Sequence, residues 1–336
     1  MARAVDWNRL RGLRATFLDG VAGGSDYWSD EALLADYDAT FGARIRWKWD
    51  FVLEELVGRG WTPPAGDVVD WACGAAAASR SFAAAFSAPR AGLVSRVRLV
   101  DRSPLATGFA MARLREEHPD LEVASERACG EPAGTLLVSH VLTELSPSAR
   151  REPIERARRA DAVLWVEPGT PAASRALLEV REALRGELHL IAPCTHSGAC
   201  GLSAPHRERD WCHQFAPPPR EAFASAHWAR VGRELAIDLR SLPVSFLVLD
   251  RRPPAPQLAS ATRLVGRPRA QKGRALLLGC DASGVRERIV RKRAAPELHR
   301  ACSRDEVPSL GRWCVDGDDV TSIEPVSAPE ARRRRS

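Results

Sequence analysis

The sequence predicts an α/β protein built on a parallel sheet. Three observations carry that expectation. Short β-branched runs alternate with helix-favouring stretches through residues 63–186, and each run ends on polar, turn-forming residues. The chain has 336 residues, 45% of them hydrophobic, enough for one large domain with additions or for two domains.

Each element follows from the residues in turn. Residues 1–62 form an N-terminal helical segment: Ser29-Asp30-Glu31 makes a helix start, and Tyr37, Phe41, Trp47 and Phe51 recur at roughly helical spacing. Those aromatics read as a packed face, with a lid over a pocket as the alternative. Residues 63–250 form the core. "GDVVDWA" runs into the Ala-rich "AAAASRSFAAAF", "VRLVDRS" into "LATGFAMARLREEH", and "LEVAS" and "GTLLVSHV" precede a helix around "SARREPIERARR". "AVLWVEPG" then leads into "PAASRALLEVREALRG", followed by the strand "ELHLIAP", a helix near 219–232 and the strand "SFLVLDRR". Such alternation implies βαβ crossovers and a sheet covered on both faces, with ligands at the carboxyl ends of the strands. Those ends read Asp70-Trp71-Ala72-Cys73-Gly74, Asp101-Arg102-Ser103, Ser139-His140 and Glu167-Pro168-Gly169. Residues 251–293 form a basic, β-rich extension with "ATRLVGRPR" and "GRALLLGCD", and residues 294–336, ending in "ARRRRS", read as a loose tail.

Composition narrows the function. The longest apolar runs, "ELHLIA" and "SFLVL", are too short to span a bilayer, and the N-terminus has no apolar signal core, so a cytoplasmic location is expected. In a reducing compartment, clustered thiols are metal ligands more readily than disulfides. Of the 49 basic residues only Lys48, Lys272 and Lys292 are lysine. With the abundant alanine this points to the codon bias of a GC-rich bacterial genome, so part of the arginine excess says nothing about function.

Two groups of residues carry chemistry. In "VVDWACGAAAAS" a glycine turn lets a cofactor approach the backbone, and Asp101, ending the next strand, suits a ribose. Only Gly74 survives there, with Ala72 and Ala76 in the other likely glycine positions, so an ordinary strand-to-helix turn is the competing reading. Residues 191–215, "IAPCTHSGACGLSAPHRERDWCHQF", supply Cys194-x5-Cys200-x11-Cys212. Thiolates bind soft or borderline metals, and a structural site needs about four ligands. His196, His206, His213 or a distant cysteine is the fourth, Cys280 being attractive at the end of "ALLLG". Cys73, Cys129, Cys302 and Cys314 read as free, buried cysteines.

"AVLWVEPGTPAASRALLEVREAL", "IAPCTHSGAC", "WCHQF" and "LLVSHVLTELS" together resemble the ribosomal small-subunit methyltransferase-like family, which includes mitochondrial ribosome-assembly methyltransferase-like proteins and bacterial relatives. The similarity covers about residues 30–293. It implies a class I S-adenosylmethionine-dependent methyltransferase core, Rossmann-like, with a helical N-terminal segment, a cysteine-rich metal loop and a β-rich C-terminal extension. With such a core, the strand ends put the cofactor at Asp70, Gly74, Asp101 and Ser139, and the resemblance further implies a [4Fe–4S] cluster, with zinc as the alternative, on Cys194, Cys200, Cys212 and Cys280. Thr195, Gly201 and Gln214 depart from the family pattern without touching the thiols, whereas Ala72 and Ala76 touch the donor loop.

The expected partner is the small ribosomal subunit and its 16S rRNA. Residues 251–293 hold twelve Arg and Lys against Asp281 and Glu287, a surface suited to phosphates unless it is only codon bias. Two readings stand: a methyltransferase acting on small-subunit rRNA or a ribosomal protein, and a non-catalytic assembly factor using the same fold and a cluster or zinc site as an RNA-binding scaffold. The sequence assigns no catalytic residue. Ser139, His140 and Glu144 occupy the strand end where many nucleic-acid N-methyltransferases carry [DN]-P-P-[YF].

Overall fold

The computed structural model describes residues 4–18, 26–87, 91–126, 132–258 and 260–326, so Cys129 lies outside the described residues. In chain order the elements begin α1 (Trp7–Leu18), α2 (Glu31–Tyr37), α3 (Ala43–Gly58), β1 (Val68–Trp71), α4 (Ala77–Phe86), β2 (Arg96–Val100), α5 (Pro104–Glu117), β3 (Glu122–Glu126) and β4 (Thr135–Ser139). They continue α6 (Arg151–Arg159), β5 (Ala162–Pro168), α7 (Pro171–Leu184), β6 (His189–Ala192), β7 (Gln214–Ala216), α8 (Glu221–Ala224), α9 (Ala226–Glu234) and β8 (Leu242–Asp250). The last are β9 (Thr262–Leu264), β10 (Arg269–Gln271), β11 (Arg274–Asp281), β12 (Gly284–Arg291), α10 (Pro296–Arg304), β13 (Leu310–Asp316) and β14 (Asp319–Pro325). Helix starts follow local chemistry. Asp30, Ser103 and Thr170 each accept a backbone N–H of the first turn, and after Ser103 and Thr170 a proline opens the helix.

Instead of four consecutive segments, the chain forms two interleaved units. The first takes Met1–Glu55, Thr62–Glu167 and Ala216–Leu242. Its strands run parallel in the order β3-β2-β1-β4-β5. β1 is buried along its whole length and β5 to Glu167, which fits a sheet covered on both faces. The order reverses between β1 and β4, where Trp71 is paired with Val100 on one side and Val138 on the other. At such a switch point the strand ends leave a crevice. Aromatic and aliphatic side chains of α1, α2, α5 and α9 share one cluster around Trp7, Leu10, Leu34, Ala106 and Trp228. Tyr37, Phe41 and Trp47 pack against it, the packed face the sequence suggested.

The second unit takes Leu56–Trp61, Pro168–Phe215 and Pro243–Ser336. It contains α7, the antiparallel pair β6–β8 and a second sheet in the order β10-β11-β12-β14-β13-β9. β9 also pairs with β11, so this sheet closes into a barrel. The interior is Leu264, Ala275, Leu277, Val290, Cys302 and Val320, with Trp313 and Ile323 against them. Gly279 is required by close packing, since a Cβ there would meet the Trp313 ring at 2.9 Å. Residues 294–326 are therefore no loose tail: α10, β13 and β14 complete the barrel. Their signal was faint because β13 and β14 each bury a single residue, Gly311 and Val320. "ARRRRS" lies outside the described residues. No described helix is long and apolar enough to cross a membrane.

Candidate functional sites

The first unit holds a cavity of about 320 Å³ at the switch point. Trp71–Ala75 after β1, Asp101 and Arg102 after β2, and Ser139–Val141, Glu144 and Leu145 after β4 line it, with Tyr27, Trp28 and Tyr37 from the N-terminal segment. The turn after β1 carries three left-handed residues, Ala72 (φ 57°), Gly74 (φ 50°) and Ala76 (φ 60°). The two alanines thus hold the backbone that glycine prefers, at roughly 1–2 kcal/mol each. The turn is preserved although its glycines are not. A Cβ on Gly74 would meet nothing within 4 Å, so the backbone there is open to a ligand.

Three of the four residues expected at the cofactor lie on this cavity: Gly74, Asp101 and Ser139. Asp101 accepts the Gly74 N–H at 2.9 Å through Oδ2 and the Ser103 N–H at 2.9 Å through Oδ1, which aims its carboxylate along the turn. Burial lifts its pKa, while those two bonds hold it down. Asp70 corrects the sequence reading. It is fully buried and does not line the cavity; its Oδ2 accepts the Ser79 hydroxyl at 2.6 Å and the Ser79 N–H at 3.2 Å, tying β1 to α4. Burial pushes Asp70 up to about 7.

The end of β4 holds a group that the sequence did not resolve. His140 has φ 53°, an uncommon backbone state for a histidine. Its Nε2 is 3.3 Å from Lys48 Nζ of α3, and its Nδ1 is 3.3 Å from Ser139 Oγ, which accepts the Trp49 indole N–H at 2.9 Å. Burial pushes Lys48 down to about 7, helped by Arg44 and opposed by Glu167. Burial and Lys48 hold His140 well below the ordinary imidazole value. Two like charges at that distance exclude one another, so the pair carries at most one positive charge near neutrality. Lys48 had a sequence signal: a lysine where this chain otherwise uses arginine.

Glu167, ending β5, supports this corner. Its Oε1 accepts the N–H groups of Val141, Leu142 and the Trp165 indole, and burial pushes its pKa up to about 7. A carboxyl raised in the folded state from 4.5 contributes stability that is whole below the unfolded value and is lost as pH rises through 7. Glu167→Gln, which mimics the protonated form, should remove this component, worth at most about 3 kcal/mol. Urea melts from pH 4.5 to 8 measure it: wild type should lose more stability than the variant across that range, and parallel curves would place the raised titration elsewhere.

In the second unit Cys194, Cys200, Cys212 and Cys280 line one pocket with Arg181 and His196. Cys194 and Cys200 follow β6, Cys212 precedes β7, and Cys280 stands in β11 opposite Val285 of β12 and Arg263 of β9. The Ser174 and Ser245 hydroxyls each donate to the Cys212 carbonyl at 2.7 Å, Arg181 Nε donates to Cys194 Sγ at 3.3 Å, and the Cys200 N–H donates to Glu182 at 3.2 Å. Burial and the neighbouring thiols raise Cys212 far above the usual thiol value and Cys280 to about 12. His196 Nε2 lies 3.7 Å from Cys280 Sγ. The other loop histidines are elsewhere: His206 is exposed, and His213 stacks on Trp211 with ring centroids 4.6 Å apart. Among the described residues no three His, Cys, Asp or Glu gather as the ligands of a single ion; the four thiols surround the pocket. Of the remaining cysteines, Cys73 and Cys302 are buried as expected, whereas Cys314 is exposed.

Residues 88–307, well over half of the chain, match the family described as the mitochondrial small ribosomal subunit Rsm22. The chain belongs to the Rsm22 family. The match takes in the strand ends after β2, β4 and β5, the cysteine loop and most of the barrel, and this methyltransferase-like family agrees with the Rossmann-like strand order of the first unit. No curated protein matches this Rsm22-family chain. Among solved structures it is similar to a geranyl diphosphate methyltransferase in complex with SAM (15% identity over 70% of this chain and 95% of that one, TM-score 0.36). It is also similar to a precorrin-6y C5,15-methyltransferase from Geobacter metallireducens (12% identity, 60% and 88% covered, TM-score 0.36). A third is an S-adenosylmethionine-dependent methyltransferase from Clostridium acetobutylicum (14% identity, 39% and 55% covered, TM-score 0.30).

Proposed function

We propose that this Rsm22-family chain is an S-adenosylmethionine-dependent methyltransferase acting on the small ribosomal subunit, either its 16S rRNA or one of its proteins, and that it carries a [4Fe–4S] cluster. The observation that carries the reading is the cavity at the switch point, where an open Gly74 backbone, the Asp101 carboxylate and His140 line one space, with Lys48 Nζ 3.3 Å from His140 Nε2. S-adenosylmethionine, when bound, supplies an electrophilic methyl group. Asp101 receives the ribose hydroxyls, the turn at Gly74 lies along the methionine part, and Tyr27, Trp28 and Tyr37 wall the cavity. His140, next to Lys48, takes the proton that an N–H or O–H acceptor loses as it gains the methyl.

Asp101→Ala tests the pocket. Losing a buried, charge-assisted hydrogen bond costs ~1.5–3 kcal/mol, so calorimetry should find S-adenosylmethionine binding weakened about tenfold or more. Unchanged affinity would remove the pocket assignment. A wild type that binds no donor would return the chain to a non-catalytic scaffold.

The metal reading rests on the donor set. Four thiolates from one loop and one barrel strand suit an iron–sulfur cluster, which tolerates irregular ligand spacing. Zinc would accept His196 in place of one thiol equally well. Arg181 and Arg263, both buried on the same pocket, offset the charge that four thiolates bring. The cluster would act as a staple, its binding energy becoming folding energy of the second unit.

A further inference from the structure

The barrel of the second unit has a specific topology. Along the chain its strands are β9, β11, β12, β13 and β14; taken as first to fifth, they neighbour one another in the order 1-2-3-5-4 and close back to 1. The one parallel pair joins the third and fifth strands, and α10 enters between the third and fourth. This is the Greek-key barrel of oligonucleotide- and oligosaccharide-binding domains, whose ligands lie over the second and third strands and the loop joining the first to the second.

Charge chooses between those ligands. That loop carries β10 and ends at the β10–β11 turn, with Lys272 and Arg274 on it; Arg291, Lys292 and Arg293 end the third strand beside it. The Lys292 N–H donates to the Gly273 carbonyl at 3.0 Å, so both groups share one rim of the barrel. All five cations are exposed. Arg274 and Arg291 stand directly opposite in register, an arrangement that costs stability when the charges are alike. Among the described residues only Arg291 of the five has a carboxylate partner, Asp319 at 2.8 Å. Codon bias does not explain the cluster, because two of the chain's three lysines stand in it. On the same loop Arg267 lies 3.9 Å over the Phe215 ring and is 43% exposed, so one face of its guanidinium plane remains for a base.

We propose that the barrel is a binding site for single-stranded RNA, with backbone phosphates on Lys272, Arg274, Lys292 and Arg293 and a base stacked on Arg267. The choice of RNA rests on the ribosomal reading above; the site and the single-stranded form rest on the barrel. Two other arginines of residues 251–293 serve other ends: Arg263 is buried and donates to the Pro193 carbonyl at 3.2 Å, and Arg269 pairs with Glu287. Arg263→Ala should therefore damage the fold rather than RNA binding.

Fluorescence anisotropy of the full chain tests the site, with a labelled single-stranded RNA of about 12 nucleotides and the same strand annealed to its complement. The wild type should prefer the single strand. Replacing Lys272, Arg274, Lys292 and Arg293 together by Ala should weaken binding about thirtyfold near 0.1 M salt and reduce the slope of log affinity against log salt by about 3, roughly 0.7 per lost phosphate contact. The four side chains are exposed, so the melting curve should stay in place and separate lost contacts from lost fold. Full affinity and slope in the variant, or equal binding of the duplex, would overturn this site while leaving an RNA partner in place. A wild type that binds neither RNA would overturn the RNA reading itself.

Discussion

Cys280→Ser protein should come off an anaerobic purification pale, while the wild type is brown with about four irons and four sulfides per chain. Three of the four proposed ligands sit in the loop after β6, and only Cys280 belongs to the barrel, so this substitution cuts the tie between them. Outer partners of a metal site already cost 10–100-fold in affinity when removed, and a lost ligand should cost at least ~100-fold. Because the binding energy is folding energy, the barrel should also melt earlier. Cys314→Ser is the control: that thiol is exposed on β13 and should change neither iron nor melting. If Cys280→Ser keeps its metal, His196 is the fourth ligand. A colourless wild type with one zinc per chain would reject iron and keep the site.

Lys48→Met and His140→Gln should each leave S-adenosylmethionine affinity within about threefold and slow methyl transfer by 100-fold or more, the usual contribution of a positioned base. In the proposed mechanism the donor is held by the turn and Asp101, whereas His140, 3.3 Å from Lys48, lines the cavity at the end of β4. The pH profile separates this role from a structural one. The proton must leave the pair before it can accept another, so transfer should rise with pH through about 7, the value to which burial brings Lys48. Removing Lys48 should move that limb, while a merely structural substitution would lower the rate at every pH alike. Single-turnover transfer of labelled methyl to small subunits from a strain lacking the protein reads both effects. Rates within threefold of wild type would remove the pair from the mechanism.

How far the sequence reached depended on where each signal lay. The parallel core was legible because β1, β4 and β5 are mostly apolar, buried runs, and the polar residues that close β2 and β4 stand at the switch point. Gly74, Asp101 and Ser139 follow from that rule alone. Asp70 obeys it too but faces inward, where the Ser79 hydroxyl and N–H of α4 both donate to its Oδ2. The cysteine loop was legible from residue type, yet which histidine approached the thiols was not, since spacing does not show that Trp211 stacks on His213. The barrel was only half seen. β11 alternates clearly, but β12 buries only Val285 and Val290, and β13 and β14 bury so little that period alone could not find them. Counting arginines in 251–293 likewise mixed the buried Arg263 with the exposed rim.

The central claim is that this chain methylates a component of the small ribosomal subunit. Mass analysis of 16S rRNA fragments and small-subunit proteins, from cells with and without the gene, tests it most directly. The account predicts one fragment or one protein lighter by a single methyl group in the deletion strain, restored by the wild-type gene and not by the His140→Gln variant. Identical masses in both strains, in every fragment and every protein, would contradict it.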